Sequence, residues 1–283
     1  MSDGAVDLAG GPRLRRWLPS PRHALLLPLS LLMLTPLLWM LMTSIQTPAE
    51  ALHFPPVLPS GIHWQNYTNA FHAAPFGRFF LNSALVTGAS VLGNLVFCSL
   101  AGYAFARLRF RGSGLAFMLL LTTLMVPFQV VLIPTLLIVK SFGLIDHLGA
   151  LIVPNLVTAF GVFMMRQFFL ALPPDLEEAG RIDGASRLGV FMKILLPLMG
   201  PPLATLAILT FLSIWNDFLW PLVAIQSPEN MTMQLGLSTF QGAHLTDWPL
   251  LMAATLMSQL PVIVLFLLAQ RVFVRSIASS GIK

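Results

Sequence analysis

This chain predicts an all-α membrane protein of six transmembrane helices, on three observations. First, 56% of its 283 residues are hydrophobic and 10% are charged, with a mean hydropathy of +0.81. A soluble domain carries about 25% charged residues. Second, six uncharged stretches are long enough, or nearly so, to cross a bilayer: 24–43, 79–106, 115–139, 148–165, 194–216 and 250–270. A crossing takes roughly 20 apolar residues at ~1.5 Å rise each. Third, the basic residues fall almost wholly on one side of those stretches.

The first stretch follows Arg13, Arg15, Arg16 and Arg22. It is too long for a signal-peptide core and no Ala-x-Ala cleavage signal follows, so it reads as a retained helix. The second and third carry no charge at all. The fourth is the shortest and has room to extend through Arg166 to Leu170. The fifth is expected to begin just after Pro201-Pro202 and to run past Asp217 toward Pro221. Prolines within these runs (Pro28, Pro36, Pro127, Pro134, Pro154, Pro261) are compatible with kinked membrane helices, because neighbouring groups satisfy the freed carbonyls.

With the N-terminus in the cytoplasm, inside segments hold 14 basic residues: Arg13, Arg15, Arg16, Arg22, Arg107, Arg109, Arg111, Arg166, Arg181, Arg187, Lys193, Arg271, Arg275 and Lys283. Outside segments hold two, Arg78 and Lys140. This asymmetry predicts that both termini are cytoplasmic. It also accounts for the net charge of +5 without a nucleic-acid partner, since the charges are spread over short loops. The domain plan is a Gly/Pro/Arg-rich cytoplasmic tail at 1–22, a six-helix membrane domain at 23–276 and a short cytoplasmic tail at 277–283. Two outside loops are long, 44–77 and 226–249. They either face a soluble partner or lid the helix bundle.

The second inside loop is a charged island in an apolar chain. Pro173-Pro174 stops the fourth helix, Asp175 is placed to cap the next, and Glu178 sits three positions on, as in a capping box. Glu177 and Glu178 lie near that helix's positive end. Arg181 is one turn beyond Glu177 and Arg187 one turn beyond Asp183, spacings that allow charge pairs. Ala179, Ile182 and Ala185 are small or apolar, and Gly184 permits a left-handed bend. The expected product is a short helix, a bend at Gly184, and a second helix through Phe191 that feeds the fifth span. Composition alone fits a helix lying at the lipid headgroups.

The full spacing argues otherwise. Glu178-Ala179-Gly180, three residues, Gly184, nine residues, then Ile194-Leu195-Leu196-Pro197 resembles the "EAA" loop of ABC-importer permeases. Gly180 stands where that family usually has a second Ala, a small-for-small change. Leu172-Pro173-Pro174-Asp175-Leu176-Glu177-Glu178 and the run from Phe211 to Leu222 resemble the carbohydrate branch. So do Met125-Val126-Pro127-Phe128-Gln129, Leu237–Gly242 with Thr246-Asp247-Trp248, and the ending Gln270–Arg275.

The resemblance implies a type I ABC-importer permease fold in a bacterial or archaeal cytoplasmic membrane. It implies that residues 173–197 dock on a separate ATPase, with Glu177, Glu178, Ala179, Gly180, Ile182, Asp183, Gly184 and Ala185 as the coupling residues. The implied partners are a sister permease in a heterodimer, two ATPase subunits, an extracytoplasmic binding protein and a carbohydrate or polyol. ATP and its magnesium are then bound by those partners.

Within this chain no catalytic, cofactor or metal site is expected. It has no Gly-x-x-x-x-Gly-Lys-Ser/Thr phosphate loop, no His-Glu-x-x-His and no Gly-x-Ser-x-Gly. His53, His63 and His72 lack zinc spacing, and one cysteine, Cys98, excludes a disulfide framework. Asp217 is the acid expected to lie within a span, where a charge costs roughly 2.5–3.5 kcal/mol unless solvated or paired. Trp215, Asn216 and Trp220 flank it, offering ring faces and hydrogen-bond acceptors suited to a sugar. The alternative is helix-packing hydrogen bonds or an interfacial aromatic belt. Asn82 and Gln129 complete the candidate pathway, with Asn94 and Asn155 as further polar positions in spans. A non-sugar solute, a stand-alone secondary transporter and an intramembrane hydrolase are the rival readings. The second would need an ion relay, for which Asp217 stands alone; the third lacks a nucleophile–base pair.

Overall fold

The computed structural model describes residues 21–241 and 246–280, with side chains from 25 to 241 and from 246 to 270. The N-terminal arginines before Arg22, His244 and the last three residues lie outside this range, as do the side chains of Arg271 and Arg275. The described residues form helices and loops only.

Four helices are long and apolar enough to cross a membrane, and two bent helix pairs pass the same test together. In chain order the helices are α1 Pro21–Ser44, α2 Gln65–Ala73, α3 Phe76–Gly93, α4 Ser99–Arg107, α5 Ser113–Thr123, α6 Phe128–Ser141, α7 Leu148–Ile152 and α8 Ala159–Ala171. There follow α9 Asp175–Ile182, α10 Arg187–Val190, α11 Gly200–Trp215, α12 Leu219–Ala224, α13 Met233–Ser238 and α14 Trp248–Ser280. A single π-helical turn, Asn94–Cys98, joins α3 to α4 as one continuous span. The fourth span does reach Ala171, beyond the apolar stretch, through a 3₁₀ turn at Val153–Asn155.

Two spans differ from expectation. The third breaks at Leu124–Pro127, where α5 and α6 meet at 107°. Pro127 has no N–H for the helix ladder and disfavours helical backbone at Val126. Thr122 and Thr123 turn their hydroxyls onto the carbonyls of Leu119 and Leu120 in the last turn of α5. The fifth is a bent pair, the 187–198 segment meeting α11 at 78°, and it stops at Trp215 rather than passing Asp217. Pro221 cannot donate to the Asp217 carbonyl, and Asn216 turns its amide back onto Leu212 O at 2.8 Å. A new helix, α12, then begins at Leu219.

Three apolar clusters hold these elements. The first packs Tyr103, Met165, Phe169, Phe191 and Leu195 where α4 and α8 run against the 187–198 segment. A second gathers Val86, Leu151, Trp220, Ile225 and Leu235, and a third Phe76, Phe79, Met233 and Ala254. The α4–α8 contact is close because Gly102 faces it. A Cβ there would lie 2.7 Å from Met165 Cβ and 2.9 Å from the Arg166 backbone. Small residues at such contacts let membrane helices approach. The surface of α1 is apolar, with Leu25 74% and Met33 72% exposed, as a lipid-facing helix requires.

The described residues of both long loops expected outside include helices. The first contains α2, and Glu50 accepts from the backbone N–H groups of Thr47 and Ser60. Ser60 is the main cause of a Glu50 pKa lowered to about 2. The second contains α13, buried against α3. Asp146, at a left-handed φ of 61°, ties this loop to the one after α6. Its carboxylate accepts from Gln226 N and Ser227 N at 2.9 Å, and its backbone N–H donates to Ala224 O. Donation from Ser227 and Gln226 lowers its pKa to about 2 from 3.8. Because the folded value is the lower one, this contribution to stability is complete above about pH 4 and is lost as pH falls toward 2. Asp146→Asn keeps an acceptor and a residue type at home in left-handed backbone. The thermal stability difference between the two proteins should be constant near neutrality and vanish across that acid window.

Candidate coupling loop and translocation face

The charged island folds as a helix–bend–helix. Its first helix, α9, is capped at Pro174 rather than Asp175, and no side chain caps it. Asp175 is the first helical residue, because Pro174 already adopts helical backbone and the two prolines need no N–H partner. Asp175, Glu177 and Glu178 all fall in the first turn, at the positive end of the helix. The helix ends in a Schellman pair: Ala185 N–H donates to Gly180 O and Gly184 N–H to Arg181 O. Gly184 takes φ +82° to make it, in the region where a side chain is strained. Ser186 Oγ then accepts from Gly189 N at 3.1 Å and starts α10. A π turn, Phe191–Leu195, carries the chain on toward the fifth span.

The eight coupling candidates divide between two faces. Glu178, Ala179, Ile182, Asp183 and Gly184 are exposed, with Ile182 86% exposed and Leu188 beside it at 63%. Glu177, Gly180 and Ala185 face inward. A Cβ on Gly180 would lie 2.5 Å from Ile194 Cδ1 and 3.1 Å from Val190 Cγ2, so this small residue lets α9 lie flat on the π turn. The expected pairs Arg181–Glu177 and Arg187–Asp183 do not form. Glu177 instead meets Arg107 at 2.9 Å, the one ion pair among the described residues. Arg107, at the end of α4, also donates to Phe169 O and Leu172 O. Sequence reading placed it in another loop and so missed it.

At the other end of the spans, the Trp-Asn-Asp segment is a corner between α11 and α12. Trp215 and Trp220, two of the candidate pathway residues, are packed inside this chain. Both are 2% exposed. Trp215 stacks on Phe211 and donates its indole N–H to Ser258 O, while Trp220 donates to Ala150 O at 3.0 Å. A buried indole needs such a partner, and both rings serve packing. Asn82 is likewise buried, its amide donating to Glu229 O and Met231 O, which fixes the loop before α13 on α3. Asp217 is half-buried and accepts from Trp220 N–H at 3.3 Å, tying down the first turn of α12. Asn216 and Gln129 are exposed.

Beside Asn216 lies an open cavity of about 380 Å³, lined by the apolar Phe218, Leu237, Leu251 and Met252 and by the polar Gln234, Ser238, Gln241 and Thr255. Gln234 Nε2 approaches Asn216 Oδ1 at 3.5 Å. These polar groups were not foreseen, though part of the signal is legible: Gln234 and Ser238 lie four apart on α13, and Gln241 follows in the turn after it.

Residues 95–279 match the family described as the binding-protein-dependent transport system inner membrane component. The chain belongs to this family and is a membrane transport subunit. It is 37% identical over 226 residues to the arabinooligosaccharides transport system permease protein AraQ of Halalkalibacterium halodurans, covering 80% of this chain and 81% of that one. It is 35% identical over 276 residues to the sn-glycerol-3-phosphate transport system permease protein UgpE of Yersinia pestis, covering 94% and 98%. A chain of a bacterial ABC transporter involved in the import of the acidic polysaccharide alginate shares its fold at a TM-score of 0.80. The two are 26% identical, with 89% of this chain and 94% of that one covered.

Proposed function

We propose that this chain is one of two permease subunits of an ABC importer for a carbohydrate or related polyol, docking an ATPase through residues 173–197 and receiving solute from an extracytoplasmic binding protein. In this reading residues 23–276 make six spans, the third and fifth being the bent pairs. Both termini are cytoplasmic, as the 14-to-2 distribution of basic residues supports. A sister permease supplies the other half of the pathway, and two ATPase subunits bind ATP and magnesium. The sugar assignment draws on the names of the relatives and on the amide-rich face of Asn216, Gln234 and Gln241. Amides cannot face lipid without cost, so this face belongs against water, solute or the sister subunit.

The observation that carries the docking assignment is Ile182. It stands 86% exposed on a rigid, capped helix end, beside a glycine-enforced bend. Burying such a side chain stabilises a complex by roughly 1.5–3 kcal/mol. Ile182→Asp should therefore weaken ATPase association at least about tenfold in a pull-down from detergent, at unchanged membrane insertion. Wild-type association by this variant would show that the ATPase docks elsewhere.

A further inference from the structure

We propose that Arg107 is the positioning residue through which movement of the docked helix α9 reaches the membrane helices; this rests on the reading of residues 173–197 as the ATPase dock. Arg107 is the last residue of α4, and its side chain is 12% exposed. One guanidinium serves three elements. It donates to Leu172 O at 2.5 Å and to Phe169 O at 2.8 Å, the latter shared with the capping Leu172 N–H at the end of α8. Its Nε lies 2.9 Å from Glu177 Oε1 in the first turn of α9. Nε and Oε1 are both shielded, and their contact is a charge pair rather than an aligned hydrogen bond. The forked geometry of arginine allows all three contacts at once, which a point charge cannot reproduce.

The placement is what gives the contact a transmitting role. α4 and α8 are already held along their length by Gly102 against Met165 and by Tyr103 against Phe169, with ring centroids 5.7 Å apart. They need no ion pair to pack. α9 has apolar support through Gly180, but its acidic first turn is tied back to the paired helix ends by Arg107. A cavity of about 60 Å³ lies beside the pair, bordered by Tyr103, Arg181 and Arg187. It leaves room for α9 to shift while the ionic tie is kept. A displacement of α9 by the ATPase then pulls on the ends of α4 and α8 together. Farther along, Asn94 holds the break in the fourth span: its amide donates to Asn155 O at 2.7 Å and its carbonyl accepts from Thr158 Oγ1. The two helices therefore form one lever, joined at both ends.

The test is a double-mutant cycle in proteoliposomes holding the complete importer, reading solute transported per ATP hydrolysed. Arg107→Met and Glu177→Gln should each lower this ratio about three- to tenfold, the scale of network mutations on coupling. The double variant should lower it no further, because the two residues act through one contact. Multiplied losses in the double variant, or an unchanged ratio in all three, would overturn the proposal. If Arg107→Met does not assemble, Arg107→Lys replaces it in the same cycle with the same two outcomes. ATP-dependent uptake by the wild-type importer is measured first, so failure of the functional reading appears there and not in the cycle.

Discussion

Replacing Gly184 by valine is expected to lower solute-stimulated ATP hydrolysis by the assembled importer about tenfold or more, while leaving membrane insertion intact. The reason lies in the backbone. Gly184 sits at φ +82° with nothing within 4 Å of a built Cβ, so no neighbour is in the way. The penalty is the left-handed conformation itself, a genuine outlier for a β-branched residue. It costs roughly 1–3 kcal/mol. Valine would relieve that strain by unwinding the Schellman turn, freeing the Gly180 and Arg181 carbonyls and swinging Ile182 away from its position. Gly184→Asn separates this account from a steric one, because asparagine tolerates left-handed backbone and is bulkier than alanine. It should retain most of the stimulated activity. Equal losses in both variants would mean that size, not backbone, matters at this position.

The second large effect is at Trp220. Trp220→Ala should cost about 3–5 kcal/mol, enough to prevent assembly of a stable subunit, and should lower the thermal transition measured in detergent. Trp220 is 2% exposed, meets Phe128 edge-on with centroids 6.0 Å apart, and satisfies Ala150 O through its indole N–H. It therefore ties together α6, α7 and α12, three elements on either side of chain breaks. Trp220→Phe keeps much of the packing and loses the hydrogen bond, so an intermediate transition is expected. If Trp220 were instead a sugar-stacking ring, Trp220→Ala would lower uptake with no change in the thermal transition.

These two residues show what was legible in the sequence and what was not. Gly184 was readable because a glycine at a fixed offset after a charged, capped segment demands a local backbone state, and local states follow from local sequence. The charge-free stretches were readable for the same reason: crossing a bilayer is a requirement on composition. The packing of Trp220 was not legible because its surroundings come from residues 70 positions away, at Ala150, and farther still, at Phe128. An aromatic residue beside an acid looks the same in sequence whether its ring is packed or presented. Arg107 was overlooked on similar grounds. It was counted as one of several basic loop residues that set orientation, and only the fold brings it to Glu177. The breaks at Pro127 and after Trp215 lay in between. Prolines flagged both places, but proline in a membrane helix is compatible with a kink of any size, so the 107° bend required the packing of α5 and α6.

The central claim is that this chain is a passive half-pathway driven by a separate ATPase. It is tested most directly by reconstituting the chain in sealed proteoliposomes with and without its ATPase, its sister permease and its binding protein, and measuring radiolabelled sugar uptake. The account predicts uptake that requires ATP and all three partners and that disappears when any one is omitted. Concentrative uptake by the chain alone, driven by an ion gradient, would contradict it.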